Sequence, residues 1–389
     1  MFGNLKSGTV RTFKERCAYA GARLKAEGFS SGERWLLAAY PNVVSNPYPE
    51  MLYSRSLENG FGCVRMKKID QAVRLPRRVR AMVHIHWLNR IYGNVFDIKR
   101  MNGKEAAQAV QVFLDALKRQ KDAGRQIVWT VHNIMSHAAA FPDEELQLRL
   151  GMAELSDHIH IMNSETRRLC APLYDLPSHK VFEVPHPSYK GIYADTVSRD
   201  KARQTLGLEP DDNVFLIFGL LGKYKGIKQF INQMDTLQTR VGDPVKLVIA
   251  GRAADHDTMQ ALLDLADSRD DMILHTDPID DRQMQLYFRA ADVALCPQPV
   301  GLNSGVAHAA ASFGCPVVLA ENLAPIMRGL EDFTFSFDPD NMETSVSACV
   351  GALKAGKAVE CGAAMDAWAI SRAPHAISTL FFETLRSRL

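Results

Sequence analysis

A short glycine- and lysine-bearing segment, Phe218 to Gly226, contains residue types suited to holding phosphate. Gly219, Lys223, Lys225 and Gly226 follow an apolar run that is typical of a buried strand. Glycine lets the backbone approach an anion closely, lysine supplies charge, and the helix expected next presents unpaired N–H groups. The spacing fits neither the glycine fingerprint of dinucleotide sites nor a P-loop. We predict a phosphate-binding loop of another kind, with an ordinary turn and solvated lysines as the alternative.

A second segment with turn chemistry, Cys296 to Val306, also lies between a predicted strand and a predicted helix. Asn303 or Ser304 suits the N-cap position of that helix, and such a helix start can bind an anion. Asn-Ser-Gly is also common in ordinary turns. With the lysine segment and the loop after the strand 245–250, it predicts one diphosphate site. The predicted binding residues are Gly219, Lys223, Lys225, Gly226, Gly251, Arg252, Asn303, Ser304 and Gly305.

Histidines mark the ends of two further predicted strands. His84 and His86 end the first, and His132 ends the second, next to Asn133. A histidine at such a position can donate a hydrogen bond or act as a general base, and a hydrogen-bonded structural histidine is the alternative for each. Their spacing over two strands, with no carboxylate nearby, argues against a metal ion. We therefore predict no metal site.

The elements that position these residues alternate between strand and helix. This order predicts an α/β fold with parallel sheets and helices on both faces, and the alternation restarts after about residue 188. The chain of 389 residues, 47% of them hydrophobic, is long enough for two domains. Ligands bind beyond the carboxyl ends of such strands, so we expect two Rossmann-like domains facing across a cleft. The predicted strands are 35–40, 82–87, 126–132, 158–162, 181–185, 214–218, 245–250, 272–275, 293–296 and 316–320.

The predicted domains are a basic N-terminal helix (1–32), a first Rossmann-like domain (33–188), a second one (189–365) and a closing helix (366–389). The net charge of +2 is too small for a nucleic-acid binder. The seven scattered cysteines lack zinc-site spacing and favour a reducing cytoplasmic compartment. No apolar run reaches the ~18 residues of a membrane-spanning helix. The basic helix and the basic stretch 65–80 suggest attachment to an anionic membrane surface, or merely solvated faces.

Several phrases of the sequence resemble a known family when taken in order over roughly residues 35 to 325. They are Asn46-Pro47-Tyr48, His84-Ile85-His86-Trp87, Thr130-Val131-His132-Asn133, Phe218-Gly219, Tyr224-Lys225-Gly226, Asn303-Ser304-Gly305 and Ser312 through Val318. The chain resembles the GT-B glycosyltransferases of bacterial exopolysaccharide assembly, and among them the xanthan-type GDP-mannose:glycolipid β-1,4-mannosyltransferases.

The resemblance implies transfer of a hexose from a nucleotide-diphosphate sugar to a lipid-linked or oligosaccharide acceptor. GDP-mannose is the expected donor, and a UDP-sugar is the alternative. Lys223 would stand where relatives carry a diphosphate-binding arginine, and Lys225 would match the lysine of the Lys-Gly step. Retaining relatives carry two glutamates where this chain has Gly301 and Ala309. Their absence favours an inverting reaction, with no metal or cofactor expected.

The implied reaction needs a catalytic base, because the acceptor hydroxyl must lose a proton. His132 is the first candidate, and Asp143, Glu144 and His86 are the next candidates. His132 could instead only orient the donor. Two other functions are also open. A nucleotide-sugar 2-epimerase uses a similar fold, and a non-catalytic nucleotide-sugar-binding subunit would fit the missing glutamates. Trp368 is expected to pack the closing helix.

Overall fold

The computed structural model describes residues 12–41, 46–92, 100–136, 139–356 and 361–389. Residues 1–11 of the predicted basic N-terminal helix lie outside this description. The chain divides into two compact units, one formed by residues 1–187 and 374–389 and the other by residues 188–373. The sequence places these boundaries after residues 188 and 365.

The first unit contains a six-stranded parallel sheet with the strand order β2-β1-β3-β4-β5-β6. Its strands are β1 (Trp35–Tyr40), β2 (Phe61–Arg65), β3 (Ala81–Ile85), β4 (Gln126–Thr130), β5 (His158–Ile161) and β6 (Val181–Glu183). Its helices are α1 (Phe13–Ala26), α2 (Tyr48–Leu52), α3 (Gly103–Asp122), α4 (Pro142–Leu155), α5 (Thr166–Cys170) and the C-terminal helix (Pro374–Arg386). The central strands are buried along almost their whole length, as expected for a parallel sheet covered on both faces.

The second unit contains another six-stranded parallel sheet, in the order β12-β11-β10-β7-β8-β9. Its strands are β7 (Asn213–Phe218), β8 (Val245–Ala250), β9 (Met272–His275), β10 (Val293–Cys296), β11 (Val317–Ala320) and β12 (Thr334–Phe337). Its helices are α6 (Arg199–Leu206), α7 (Ile227–Ile231), α8 (Met234–Val241), α9 (His256–Asp267), α10 (Met284–Ala290), α11 (Gly305–Ser312), α12 (Thr344–Gly356) and α13 (Cys361–Ser371). Both sheets confirm the predicted α/β class.

Two strands and one helix differ from the sequence prediction. β2 and β12 were not expected, because neither forms a continuous apolar run: β2 contains Gly62 and ends at Arg65, and β12 alternates Thr334 and Ser336 with phenylalanines. The helix predicted to follow the segment Phe218 to Gly226 is divided into the short helices α7 and α8. α7 follows Gly226, which has a left-handed conformation with φ of 68°. Its five residues are too few for the helix-dipole contribution that the sequence suggested at this loop.

Within the described residues, no helix combines the length and the apolar character that crossing a bilayer requires.

A buried ion pair joins the amino ends of β7 and β10, the two strands whose opposite ends carry the lysine and Asn-Ser-Gly loops. Arg203 Nη2 donates to Asp292 at 2.8 Å, and the same carboxylate accepts from the Val214 amide at 2.8 Å. The Arg203 guanidinium also donates to the carbonyls of Ala290, Glu209, Pro210 and Asp212. The Arg203 side chain is 4% exposed, so these bonds replace nearly all of its water contacts.

We expect Arg203→Met to lower the free energy of unfolding by about 3 kcal/mol, because it leaves the Asp292 carboxylate and several carbonyls without their buried donor. Arg199→Met is the matched control: Arg199 pairs with the same carboxylate, but its side chain is 44% exposed. It should cost less than about 1 kcal/mol. Urea unfolding of the full chain measures both. Equal losses in the two variants would contradict this account.

Candidate functional site

The loops after β7, β8 and β10 of the second unit interlock at the carboxyl edge of the sheet. The Gly219 amide donates to the Ala250 carbonyl at 2.9 Å, and the Leu221 amide donates to the Arg252 carbonyl at 2.8 Å. A Cβ atom at Gly251 would overlap the Gly219 carbonyl oxygen, and one at Gly226 would lie 2.7 Å from the Pro297 oxygen. Both glycines also have positive φ. These positions therefore accept only glycine.

Lys225 turns inward from this edge rather than out to solvent. The residue is 7% exposed, and its ammonium donates to the Phe218 carbonyl at 2.5 Å. A Cβ at Gly219 would lie 3.3 Å from the Lys225 Nζ and 3.6 Å from Val306 at the start of α11. Burial lowers the pKa of Lys225 from 10.5 to about 8, against a weaker opposing effect of Cys296. An ammonium has three protons, and among the described residues this one has a single hydrogen-bond acceptor.

Ser304 caps the helix that faces this lysine. Its hydroxyl accepts from the Ala307 amide at 3.3 Å, and the Cys296 sulfur lies 3.4 Å from the same oxygen. The cap fixes the start of α11, which is eight residues long. Gly305 is exposed, and a Cβ there would lie 3.1 Å from the Tyr189 hydroxyl. The structure thus brings the predicted residues Gly219, Lys225, Ser304 and Gly305 to one edge.

Asn303 is positioned by a residue that the sequence analysis did not single out. The Asn303 Oδ1 lies 3.0 Å from His308 Nε2, and His308 is fully buried and stacks against Trp368 with ring centroids 6.0 Å apart. His308 lies five residues after Asn303, on the inner face of α11. That spacing is the only sequence signal for the contact, and it is weak.

Two predicted binding residues are surface groups. Lys223 is exposed in a short 3-10 turn, Lys223–Lys225, and Arg252 is exposed beyond β8. Both lie at the same edge of the sheet, and their role in binding phosphate stays a prediction. Of the two positions where relatives have glutamates, Ala309 is buried at 2% exposure and Gly301 is partly exposed.

The first unit contains a connected network of four histidines, a tyrosine and a threonine. Tyr53 Oη lies 2.7 Å from His84 Nδ1 and 2.6 Å from His86 Nε2. Thr130 Oγ1 lies 2.7 Å from His84 Nε2 and 3.0 Å from His160 Nδ1. His86 Nδ1 lies 3.2 Å from His132 Nε2. Sequence analysis missed Tyr53 and His160. The alternation of His158 with His160 on β5, like that of His84 with His86, was the available signal.

Burial makes these histidines neutral at pH 7. It lowers the pKa of His86 to about 3 and that of His160 to about 4, the latter despite the opposing effect of the hydrogen bond that His160 donates to the Val184 carbonyl. The pKa values of His84 and His132 are also lowered, first by burial and then by neighbouring histidines. The described residues include no group of three histidine, cysteine or carboxylate side chains arranged to hold a metal ion.

A small pocket of about 220 Å³, a volume that includes the solvent at its mouth, lies beside His132. Its lining includes His86, Trp87, His132, Asn133, Ser136 and Arg149. Arg149 donates to the Asn133 carbonyl at 2.9 Å and to Glu145 at 2.5 Å, and Glu145 accepts from the Ser136 amide at 2.7 Å. Arg149 and Glu145 are both buried, and sequence analysis missed this pair.

The two carboxylates predicted as alternative bases to His132 lie in the first turn of α4. Asp143 is exposed, and Glu144 is partly exposed with its Oε1 3.4 Å from where a Cβ of Gly103 would be. Neither lines the pocket beside His132. The inward-facing acid of this helix is the neighbouring Glu145.

Comparison with known proteins agrees with this architecture. Residues 198–349 match the family described as Glycosyl transferases group 1. The chain is 29% identical over 187 residues to a D-inositol 3-phosphate glycosyltransferase of Xylanimonas cellulosilytica, an alignment covering 47% of this chain and 39% of that protein. The chain thus spans less than half of this curated relative.

Solved structures resemble the chain over most of its length. HepE of Anabaena in complex with UDP and glucose has 15% identity and a TM-score of 0.60, covering 91% of this chain and 100% of that one. Sucrose-phosphate synthase from Thermosynechococcus elongatus has 14% identity and a TM-score of 0.64, covering 91% and 98%. The chain has the GT-B fold that these proteins share, and the match to the glycosyl transferases group 1 family covers residues 198–349 of the second unit.

Proposed function

We propose that this chain is a glycosyltransferase that takes a sugar from a nucleotide-diphosphate donor bound by the second unit. The observation that carries the proposal is the ammonium of Lys225, a residue that is 7% exposed beside Gly219 and the capped start of α11 and has one acceptor among the described residues. A buried cation with so few partners is costly unless an anion completes its coordination. A diphosphate at this edge supplies that anion.

The same groups would assist departure of the leaving group. Negative charge grows on the diphosphate as its bond to the sugar breaks, and fixed donors in a site of low dielectric stabilise that charge strongly. The Lys225 ammonium and the first amides of α11 are such donors. We propose that they do so without a metal ion, and turnover that persists in EDTA would support this part.

For the sugar, we propose a hexose. HepE of Anabaena binds UDP and glucose in its crystal structure, so UDP-glucose is the first donor to test. GDP-mannose, which the resemblance in the sequence implies, is the second. For the acceptor we propose a lipid-linked or oligosaccharide molecule of exopolysaccharide synthesis. The relative that acts on D-inositol 3-phosphate makes that compound the control acceptor.

Thermal unfolding with UDP, GDP, ADP and CMP and their sugars tests the donor site, because a ligand of the folded state stabilises it by mass action. At 100 times its Kd, a nucleotide should add about 2.7 kcal/mol to the stability. We expect stabilisation by one nucleoside diphosphate class. Absence of any effect at millimolar concentration, with acceptor lipid present, would refute the donor site.

Lys225→Met should weaken binding of the preferred nucleotide sugar by roughly 10- to 100-fold at pH 7, because it removes a charge-assisted hydrogen bond worth about 1.5–3 kcal/mol. Methionine retains the packing volume, and unfolding without ligand checks that the variant is folded. Lys228→Met, at an exposed position of α7, is the matched control and should bind normally. Calorimetry measures the Kd values. An unchanged Kd in Lys225→Met would show that Lys225 does not bind the donor.

The affinity of the wild type for a nucleotide sugar should fall as the pH rises through about 8. The free protein loses the Lys225 ammonium over this range because burial lowers the pKa of Lys225 to about 8. The neutral amine then offers no charge to the diphosphate. Above that pH the Kd should rise by up to about tenfold per pH unit. Lys225→Met should lack this dependence, and a wild-type Kd that is constant from pH 7 to 9 would contradict the assignment.

On the acceptor side, we propose that His132 is the general base of an inverting transfer. It lines the pocket of the first unit, and its Nδ1 makes no hydrogen bond with the described residues. His132→Ala should lower kcat by roughly 10²- to 10⁴-fold with little change in donor Kd, the opposite of Lys225→Met. A loss confined to nucleotide binding would show that His132 only orients the donor. NMR of the product's anomeric configuration tests inversion.

The basic stretch 65–80 suggests a site of membrane contact. Lys67, Lys68, Arg74, Arg77, Arg78 and Arg80 are all exposed there. We propose that this surface meets anionic lipid at the cytoplasmic face of a membrane. Cosedimentation with phosphatidylglycerol vesicles, abolished by high salt, tests this; no cosedimentation at low salt would refute it.

Two other functions have distinct outcomes. A nucleotide-sugar 2-epimerase would yield a new nucleotide sugar, or its product, without an acceptor. A non-catalytic subunit would bind a donor tightly without transfer to any acceptor.

A further inference from the structure

The histidine network of the first unit has a fixed direction, because one end of it is a backbone carbonyl. His160 Nε2 lies 2.9 Å from the Val184 carbonyl oxygen. A carbonyl oxygen can only accept, so His160 carries its proton on Nε2. Neutral His160 therefore has a lone pair on Nδ1, and the Thr130 hydroxyl donates its single proton to it at 3.0 Å.

Each following group is then fixed in turn. Since the Thr130 hydroxyl has given its proton to His160, it accepts from His84 Nε2 at 2.7 Å. His84 Nδ1 is then an acceptor and receives the Tyr53 hydroxyl proton at 2.7 Å. Tyr53 Oη in turn accepts from His86 Nε2 at 2.6 Å. All three histidines share the Nε2–H tautomer.

The direction ends at His132. His86 has its proton on Nε2, so its Nδ1 accepts from His132 Nε2 at 3.2 Å. Neutral His132 therefore keeps a lone pair on Nδ1. Like the others, it is in the Nε2–H tautomer, and its open nitrogen is a proton acceptor rather than a donor.

We propose that this network is a proton relay that holds His132 Nδ1 ready to accept the acceptor's hydroxyl proton and passes the resulting positive charge to His160. The proposal rests on the glycosyltransferase function proposed above. Tyr53, His84, His86, Thr130 and His160 act through His132 and are positioning residues.

In the transfer step, one proton enters the histidine network and one electron pair leaves with the nucleoside diphosphate. The acceptor hydroxyl gives its proton to His132 Nδ1, its oxygen bonds to the anomeric carbon, and the bond from that carbon to the phosphate oxygen breaks. The electron pair leaves with the nucleoside diphosphate. Each of the five hydrogen bonds between His132 and His160 then reverses by moving its proton one place along. His160 ends with protons on both nitrogens, one of them held by Val184, and the reverse shift later returns the proton to water.

The surroundings of His132 explain why the charge should not stay there. Trp87 stacks on its ring with centroids 4.5 Å apart, and Tyr48 meets it edge-on at 5.2 Å. Burial, His86, His160, His186 and Arg149 all lower the pKa of His132, and Glu145 is already paired with Arg149. At the far end, the Val184 carbonyl raises the pKa of His160 against the effect of burial. Each of these neighbours disfavours a second proton on His132, and the Val184 carbonyl favours one on His160.

Long-range ¹H–¹⁵N NMR of ¹⁵N-histidine-labelled protein tests the direction without any substrate. At neutral pH we expect His84, His86, His132 and His160 all in the Nε2–H tautomer. An Nδ1–H tautomer at His132 would overturn the proposal. This result does not depend on the reaction, so failure of the glycosyltransferase proposal and failure of the relay can be told apart.

Variants test the order of the hydrogen bonds along the histidine network. Tyr53→Phe should abolish the single tautomer of His86 and His132 but leave that of His84. Thr130→Val should abolish it at His84 as well, whereas Thr130→Ser keeps the hydroxyl and should behave as wild type. Tyr174→Phe is the matched control, because Tyr174 is as buried as Tyr53, 3% exposed in each case, and bonds to the Ile134 carbonyl outside the network. Retained tautomers in both broken-network variants would overturn the proposal.

Kinetics test proton movement itself. Tyr53→Phe and Thr130→Val should each lower kcat by about 10-fold or more with donor KM unchanged, and Thr130→Ser should restore it. A plot of wild-type kcat against deuterium fraction in the solvent should be curved, because several protons move, and that of Tyr53→Phe should be linear. A linear wild-type plot, or an unaffected kcat in both variants, would overturn the relay.

Discussion

Every strand in each sheet is parallel to its neighbours, and this constraint determines where the candidate functional residues lie. Because parallel strands all end at the same edge, residues far apart in the sequence reach one side of the unit. In the second unit, this edge brings the loops after Phe218, Ala250 and Cys296 together. In the first, it places His86 and His132 side by side, although 46 residues separate them. The ion pair of Arg203 with Asp292 lies at the opposite end of the second sheet, where it supports the strands without occupying the edge.

Burial, rather than charge alone, gives these sites their character. Arg203 and Arg149 are buried beside carboxylates that neutralise them. Lys225 is buried to a similar degree without a carboxylate, and its pKa falls accordingly. The histidines lose their charge for the same reason. Among the described residues, Arg203 and Arg149 are therefore buried ions with carboxylate partners, whereas the buried Lys225 ammonium has one carbonyl acceptor and protons left for a ligand.

The sequence predicted the two-sheet α/β class and the interior strands, because a buried parallel strand has a strong apolar signal. It also predicted the edge strands β6 and β9, but it missed β2, which contains Gly62 and ends at Arg65, and β12, in which Thr334 and Ser336 alternate with phenylalanines. Residue types also indicated the edge where Lys225 and Ser304 meet. They could not show that Lys225 points inward while Lys223 is exposed, because both lysines look alike in the sequence. Nor could they show the contacts of Tyr53 with His84 and His86, or of His160 with Thr130, because these depend on the side-chain directions of different elements.

The anchor of the histidine network is a main-chain atom, and this has an evolutionary consequence. Any amino acid at position 184 offers the same carbonyl, so substitution there cannot erase the polarity of the network as it could if a side chain supplied the acceptor. The direction of the protons is inherited with the path of the backbone after β6. Homologous chains can therefore differ in sequence around Val184 and still keep the same direction of hydrogen bonding, provided that the six side chains of the network are retained.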